Sequence, residues 1–287
     1  MTTGAVVVLF HPEKERIKEL IDLFHKRGQP LTLVDNSPHK LAIPFPMNTA
    51  YLHLPANEGI ATAQNRGISE LMARGCNKVI VFDQDSQVTP ALLDGLCAGY
   101  EQAVKTFGRV AAVGPQIVCE FHQKEVKPKI QKALSVRNGL ADVQQIIASG
   151  MLLSVDSFSA VGPKEEALFI DGVDHEWCWR ARAKGFHVVK LLNVKMNHRQ
   201  GEGRIRAFGM SFKVGAPVRL YYQVRNVLVL SRRGYVPRYW KVRNLCGLPV
   251  RWLVNRWRFP NGKQRGTFFV QGLKDGYKGR LGKIPQE

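Results

Sequence analysis

Residues 78–86 have the sequence KVIVFDQDS, and this stretch decides the fold that the sequence predicts. The segment 79–82 is a continuous apolar run, which is typical of a strand buried on both faces of a parallel sheet. Two aspartates, Asp83 and Asp85, follow it directly. Because ligands bind beyond the carboxyl ends of strands in such sheets, the stretch predicts a strand with a functional site at its end.

The same pattern recurs on both sides of this stretch. Short apolar runs bounded by turn residues alternate with longer segments whose apolar residues have helical spacing. This alternation predicts an α/β fold in which helices cover both faces of a mostly parallel, Rossmann-like sheet. The predicted strands are 5–10, 31–34, 51–54, 78–82, 110–113 and 187–194, and the predicted helices are 13–27, 60–74, 90–107 and 174–184. Residues 119–145 are polar without a clear period, which predicts a loop that can include a hairpin.

Composition limits the classes of protein that the chain can belong to. Of its 287 residues, 45% are hydrophobic and 23% are charged, which is ordinary for one large or two small globular domains. No apolar run reaches the ~18 residues that a membrane-spanning helix needs. The five cysteines are scattered and form no Cys-x-x-Cys pair, which argues against a zinc site and favours a reducing cytoplasm.

Charge is divided unevenly along the chain. Residues 1–180 contain 18 Lys and Arg against 20 Asp and Glu, a net charge of −2, whereas residues 181–287 contain 24 basic and three acidic residues, a net charge of +21. Such a basic block predicts an anionic partner, for which nucleic acid, phospholipid headgroups and a phosphorylated substrate are the alternatives. We predict a catalytic part over residues 1–215 and a basic, aromatic-rich helical region over residues 216–287.

Two groups of side chains are candidates for binding a metal ion or an anion. Asp83 and Asp85 could share Mg²⁺ or Mn²⁺ through oxygen ligands, and the alternative is a solvated turn. His198, after the last predicted strand, could be a third ligand or a solvated loop histidine. Asn57 suits the N-cap of the helix that follows it, and Gly59 would allow close approach of an anion to that helix N-terminus. The alternative there is an ordinary capped helix.

A third acidic group lies in FIDGVDHEWCWR, residues 169–180. Asp171, Asp174 and Glu176 fall at the opening of a predicted helix, where acids can simply complement the helix dipole. The aromatic residues around them also allow a pocket of low dielectric, in which one carboxylate acts as a general base.

Taken in chain order, these pieces resemble the family 2 glycosyltransferases, which have the GT-A fold. Within that family they are most similar to the bacterial rhamnosyltransferases. The resemblance spans about residues 5–233 and is carried by the strings LVDNS, NEGIATAQNRGI, VFDQDS, ASGMLLS, LFIDGVDHEWCWRARAKGF and RLYYQVRNVLVL.

The resemblance implies a role for each matching residue on the donor side. Asp35 would contact the nucleoside of the sugar donor, with Asn57 and Gly59 in the same pocket. Asp83 and Asp85 match the Asp-x-Asp motif that binds ribose and the metal–diphosphate group.

On the acceptor side, Asp174 matches the carboxylate that acts as the general base. Val173 stands where the family has a preceding acid. Asp171, Glu176 and Arg180 are therefore named as helpers of the base.

The function implied is an inverting, metal-dependent transfer of L-rhamnose from dTDP-L-rhamnose. The acceptor would be a saccharide or a lipid-linked saccharide of a cell-surface polysaccharide. The alternatives are a hexosyltransferase with a UDP-sugar donor and a non-catalytic basic protein that binds membranes or nucleic acid. Carboxylates at positions 83, 85 and 174 favour the enzyme, because a module that only binds anions has no need of them.

The basic region is predicted to lie on a membrane. In residues 249–258, Val250, Leu253, Val254 and Trp257 have helical spacing, with arginines outside that stripe. This composition is typical of an interfacial helix on anionic lipid. With the resemblance to bacterial rhamnosyltransferases, it implies a place on the cytoplasmic face of the inner membrane. The alternative is a helix packed on the enzyme. No nucleic-acid-binding motif accompanies the charge, so nucleic acid is not expected as a partner.

Overall fold

The computed structural model describes residues 2–119, 124–125, 133–198, 203–207 and 210–285. Its centre is a mixed sheet in the strand order β3-β2-β1-β4-β9-β5-β10-β8-β7, with β6 paired to β5. The strands are β1 (Thr3–Leu9), β2 (Leu31–Asp35), β3 (Thr49–His53), β4 (Lys78–Asp83), β5 (Val110–Cys119), β6 (Lys124–Glu125), β7 (Ser135–Arg137), β8 (Leu140–Asp142), β9 (Met151–Ser154) and β10 (His187–His198). A separate antiparallel hairpin consists of β11 (Gly203–Ala207) and β12 (Met210–Val214).

The sheet has two parallel parts joined by one reversed strand. β3, β2, β1 and β4 are parallel to one another, and so are β5 and β10. β9 pairs antiparallel to both β4 and β5, so the strands on either side of it run in the same direction. The predicted mostly parallel sheet is therefore confirmed, and the carboxyl ends of β1, β2, β4 and β5 lie along one edge.

Helices cover both faces of this sheet, as the sequence predicts. They are α1 (Lys14–Lys26), α2 (Ile60–Ala73), α3 (Pro90–Phe107), α4 (Val155–Val161) and α5 (Val173–Ala183). α1 and α3 pack on one face with Ala5, Val7 and Leu9, whereas α2, α4 and α5 pack on the other with Val6 and Val8. Successive residues of β1 thus face opposite layers, which explains why the strand is apolar throughout.

The C-terminal region is helical, as predicted. It contains α6 (Pro217–Ser231), α7 (Arg238–Cys246), α8 (Leu248–Trp257) and α9 (Gly262–Lys278). α9 can pack closely on α6 because Gly272 and Gly276 have no side chain at the contact. A Cβ at Gly272 would lie 2.6 Å from the Tyr221 carbonyl oxygen, and one at Gly276 would lie 3.0 Å from that of Arg225. The predicted boundary between residues 215 and 216 falls just before α6 and stays a prediction. Within the described residues, no helix combines the length and the hydropathy that crossing a membrane requires.

Candidate active site

The loop after β4 is anchored by its neighbours. The Gln84 side chain accepts a hydrogen bond from the Phe10 amide at 2.7 Å and donates to the Phe10 carbonyl at 3.0 Å. Arg16 donates to the Asp85 carbonyl at 2.6 Å. The contact from Arg16 uses the main-chain carbonyl of Asp85 and does not involve its carboxylate. The loop therefore presents Asp83 and Asp85 at the edge where the parallel strands end.

Asp83 lies in an excess of negative charge. Burial, together with the neighbouring carboxylates of Asp174 and Asp85, raises its pKa to about 7, although Lys164 and Arg219 act in the opposite direction. A cation bound beside Asp83 would stabilise the ionised form of its carboxyl group. The oxygen donors of Asp83 and Asp85 suit a hard divalent ion such as Mg²⁺ or Mn²⁺.

Asp174 is held by two hydrogen bonds from different parts of the chain. Its Oδ1 accepts from Lys164 Nζ at 3.0 Å, and its Oδ2 accepts from the Ala148 amide at 3.0 Å. The Lys164 side chain is fully buried, whereas that of Asp174 is 26% exposed. The carboxylate is therefore fixed in orientation and still open on one side.

Lys164 is itself held in place from α2. The Asn65 side chain donates to the Lys164 carbonyl at 2.8 Å and accepts from the Lys164 amide at 2.9 Å. Both residues are buried. Sequence reasoning missed this arrangement, because it requires two residues 99 positions apart. The only signal was an uncharged polar residue, Asn65, on the buried face of a predicted helix.

The loop before α5 is organised by α6. Asn226 donates to the carbonyls of Leu168, Ile170 and Asp171 at 3.1, 2.7 and 2.8 Å, and the buried Arg225 donates to Leu168 at 2.8 Å. These two residues belong to the string RLYYQVRNVLVL, whose individual contributions the sequence did not reveal. Helix α6 therefore shapes the loop that leads to Asp174.

Asp171 forms a two-point ion pair with α6. Both of its carboxylate oxygens accept from Arg219 at 2.9 Å. Its backbone has φ 64°, a left-handed conformation that is uncommon outside glycine. The partner of Asp171 is thus an arginine, whereas that of Asp174 is a buried lysine, so the two candidate bases have different surroundings.

Asp35, at the end of β2, is fully buried. Its carboxylate accepts from Tyr51 Oη at 2.7 Å and from the Ser37 amide at 2.9 Å. Burial, followed by this hydrogen bond, raises the pKa of Tyr51 to about 12, so the phenol remains a donor at neutral pH. These contacts hold β2, β3 and the following turn together, and the nucleoside contact of Asp35 stays a prediction.

Asn57 and Gly59 shape the turn into α2. Asn57 accepts from the Gly59 amide at 3.0 Å and so stabilises the turn. The predicted N-cap at Asn57 is wrong, because Gly59 occupies the N-cap position of α2. Gly59 has φ 90°, and a Cβ there would lie 2.7 Å from the Phe169 carbonyl oxygen. That oxygen accepts from the Ile60 amide at 2.8 Å, which joins the start of α2 to the loop before α5. Donor binding by Asn57 and Gly59 stays a prediction.

Glu176 and Arg180 make structural contacts. Glu176 is fully buried and accepts from Arg180 at 2.8 Å and from Tyr235 Oη at 2.8 Å. Arg180 also donates to the carbonyls of Val161 and Pro163. The pair links α5 to α4 and to the C-terminal region, and its predicted role as helper of the base stays a prediction.

His198 is the last residue of β10, where it pairs with Cys119. Its side chain lies outside the described part of the structure, so its predicted role as a metal ligand stays a prediction. Among the described residues, no three His, Cys, Asp or Glu side chains come together in an arrangement that would hold a metal ion. The metal-binding candidates in that part of the chain are therefore the two carboxylates of Asp83 and Asp85.

No family model matches the chain. A curated relative, the dTDP-rhamnosyl transferase RfbF of Shigella flexneri, is 31% identical over 251 residues, which cover 84% of this chain and 83% of the relative. The chain belongs to the bacterial rhamnosyltransferases of glycosyltransferase family 2. It is therefore a glycosyltransferase, and the predicted family is confirmed.

Two solved structures place this rhamnosyltransferase-family chain in the GT-A fold. GalNAc-T7, solved with UDP, GalNAc and Mn²⁺, has a TM-score of 0.58 and 14% identity, over 97% of this chain and 56% of that one. Residues 1–349 of S. aureus TarS, solved with UDP-GlcNAc, give a TM-score of 0.56 and 13% identity, over 98% and 82%. The chain thus spans little more than half the length of GalNAc-T7, and these likenesses concern the fold alone.

Proposed function

We propose that the protein transfers L-rhamnose from dTDP-L-rhamnose to a saccharide acceptor with inversion at the anomeric carbon. The observation that supports this most is the carboxylate of Asp174, which is oriented by Lys164 and Ala148 and is electrostatically coupled to Asp83. With Asp174 as the base on one side of the anomeric carbon, and Asp83 and Asp85 holding the diphosphate on the other, the reaction would be a single displacement.

In this reaction Asp174 takes the proton of the acceptor hydroxyl. The acceptor oxygen forms a bond to the anomeric carbon as the bond from that carbon to the donor diphosphate breaks, and dTDP leaves with the bonding electron pair. Alcohols are poor nucleophiles until a positioned base removes the proton, an effect worth roughly 10²–10⁴ in rate. The fixed orientation of the Asp174 carboxylate suits this role.

Asp83 and Asp85 would hold a divalent cation, Mg²⁺ or Mn²⁺. Both supply carboxylate oxygens, and the pKa of Asp83 is raised by burial and then by the neighbouring carboxylates of Asp174 and Asp85. When bound, such an ion neutralises charge that develops on the leaving diphosphate. Arg219, which lies close enough to Asp83 to lower its pKa, adds positive charge on the same side.

The donor is inferred from the Shigella flexneri relative, which is a dTDP-rhamnosyl transferase. The alternative is a UDP-hexose donor, since the solved structures with this fold contain UDP or UDP-GlcNAc. Thermal shifts with dTDP and UDP, each with and without Mn²⁺, followed by hydrolysis of dTDP-rhamnose, UDP-glucose and UDP-GlcNAc, test the assignment. A preference for UDP in both measurements would contradict the assignment of a dTDP donor, and it would leave the assignment as a transferase in place.

The acceptor is proposed to be lipid-linked, with the enzyme attached peripherally to the cytoplasmic face of the inner membrane. Supporting this, α7 and α8 carry apolar side chains that face water: Val242 is 62% exposed, Leu253 44% and Trp257 68%. The predicted stripe is divided in the structure, since Val254 is buried while Leu253 and Trp257 are not. A surface of exposed apolar and basic residues is typical of interfacial helices.

Flotation with vesicles of phosphatidylcholine, with and without phosphatidylglycerol, tests this attachment. We expect binding to the anionic vesicles that weakens as salt rises, because salt screens the basic residues. Protein that stays in the soluble fraction with anionic vesicles at low salt would contradict membrane attachment and leave the chemistry at Asp174 unaffected.

A further inference from the structure

A groove of about 750 Å³ lies between α8, α9 and the residues that follow α9, away from the candidate active site. One wall is a face of α9 with Lys263, Lys274 and Lys278. Arg256 of α8 and Arg280 line the other sides. Its size is within the range of small-ligand pockets.

The positive charge of this groove is largely uncompensated. Asp275 is the only acidic residue that lines it, and its carboxylate already accepts from Tyr221 Oη at 2.9 Å and lies 3.6 Å from Arg280. Among the described residues, no carboxylate lies within ion-pair distance of Lys263, Lys274 or Lys278. An anion bound here would meet three lysine ammonium groups on the α9 wall and the Arg256 guanidinium opposite.

The groove also has an apolar part. Trp252 lines it beside Arg256, and Val270, which is 45% exposed, lines it between the lysines of α9. Arg256 stacks on the ring of Trp257, the most exposed tryptophan of α8, at 5.0 Å from the ring centroid. A small soluble anion would make no favourable contact with these apolar side chains, whereas the acyl chains of a lipid would pack against them.

We propose that this groove, defined by Trp252, Arg256, Lys263, Val270, Lys274 and Lys278, is a binding site for the phosphate headgroup of an acidic phospholipid. The inference rests on the proposed membrane attachment. It adds that the protein binds the lipid at one saturable site, and not only through attraction spread over the whole basic region. Lysine ammonium groups supply point charges to the phosphate, and Trp252 and Val270 contact the upper part of the acyl chains.

Two double variants with equal charge test the groove. Lys274→Gln/Lys278→Gln removes two charges that line it, and Arg238→Gln/Arg258→Gln removes two exposed charges of the same C-terminal region that do not. With vesicles containing phosphatidylglycerol, we expect the apparent Kd to weaken by up to about 30-fold in the groove variant and by less than about threefold in the control. Circular dichroism checks that both variants fold like the wild type.

The outcomes separate this inference from the attachment itself. Equal losses of vesicle affinity in the two variants would contradict a headgroup site in the groove and leave membrane attachment in place. Failure of the wild-type protein to bind anionic vesicles would overturn both.

A soluble probe distinguishes a lipid from free phosphate. Dihexanoyl phosphatidylglycerol, below its critical micelle concentration, is titrated by calorimetry in parallel with inorganic phosphate at equal ionic strength. We expect saturable binding of the lipid with a stoichiometry of one, lost in the groove variant. Equally tight binding of inorganic phosphate would show a soluble-anion site and overturn the lipid assignment.

Discussion

The ammonium of Lys164 lies 3.0 Å from Oδ1 of Asp174, and that carboxylate is the only ion-pair partner of Lys164 among the described residues. A fully buried lysine costs free energy unless its charge is paired. The pair therefore ties the position of the proposed base to the interior of the protein, and this dependence can be tested.

Lys164→Met should lower kcat by about 10- to 100-fold, since small misplacements of a catalytic group have effects of this size. Binding of dTDP should change less than kcat, because Lys164 contacts Asp174 directly and acts on Asp83 only electrostatically. The measurement is kcat and KM for transfer, with dTDP affinity by thermal shift. Lys184→Met, which removes a lysine that donates to the carbonyls of Ala160 and Val161, is the control. Equal kcat in the two variants would contradict a positioning role.

Asp174→Asn keeps the shape of the side chain and removes its basicity. We expect kcat to fall by ~10²–10⁴, the usual share of general-base catalysis, with donor binding retained. Asp171→Asn, which weakens the pair with Arg219, is the matched comparison. A larger loss of kcat for Asp171→Asn would assign the base to Asp171.

Asp85→Ala should abolish transfer and the Mn²⁺-dependent part of dTDP binding, because it removes a proposed ligand of the cation. The fold should persist, since Asp85 lies beyond the end of β4. Asp156→Ala, at an exposed position on α4, is the control for loss of one carboxylate. Undiminished turnover of the wild type in excess EDTA would contradict the metal assignment.

Asp83 should make the metal-free protein less stable as the pH rises. Its pKa in the folded protein is about 7, against an ordinary value of 3.8, so the folded state binds this proton more tightly than the unfolded chain. The stabilisation is therefore fully present below pH 3.8 and is lost as the pH rises through about 7. Burial raises the pKa of Asp83 most, the carboxylates of Asp174 and Asp85 raise it further, and Lys164 and Arg219 lower it.

The measurement is Tm against pH, from about pH 5 to about pH 8, in buffer with EDTA. Asp83→Asn cannot ionise, so its Tm should decline less over this range than that of the wild type. Parallel curves for the two proteins would contradict the raised pKa.

Gly59→Ala should destabilise the protein more than Gly75→Ala. Both glycines have positive φ, where alanine costs about 1–2 kcal/mol in the left-handed helical region, and the ψ of 164° at Gly59 belongs to a region that is almost restricted to glycine. At Gly75 a Cβ would meet nothing within 4 Å, whereas at Gly59 it would lie 2.7 Å from Phe169. Urea unfolding measures both; equal losses of unfolding free energy would show that Phe169 moves away freely.

The parts of the fold that sequence could predict are those fixed by local pattern. α3 runs from Pro90 to Phe107 as predicted, because a proline at its start and Thr89, which accepts from the Leu92 amide, mark its first turn. The strand at 78–82 was predicted from an apolar run alone, and the structure has β4 at Lys78–Asp83. These signals lie within a few residues of the element that they define.

What could not be predicted depends on contacts between distant segments. The reversed strand β9 is as apolar as its parallel neighbours, and its direction follows from the path of the chain. The Asn65–Lys164 hydrogen bonds join segments 99 residues apart. Asn57 matched an N-cap, but the turn placed Gly59 at that position. In each case the tertiary contact selected one of several conformations that the local sequence allows.

Helix α6 belongs to the basic region by charge, yet Asn226 holds three carbonyls of the loop that leads to Asp174. A chain that ended at residue 215 would leave those carbonyls without their donors and Asp171 without Arg219. A chimera that exchanges the C-terminal region with that of another enzyme would therefore have to retain α6 from this protein. The junction for such a graft lies beyond Tyr235, because Tyr235 donates to the buried Glu176 of α5.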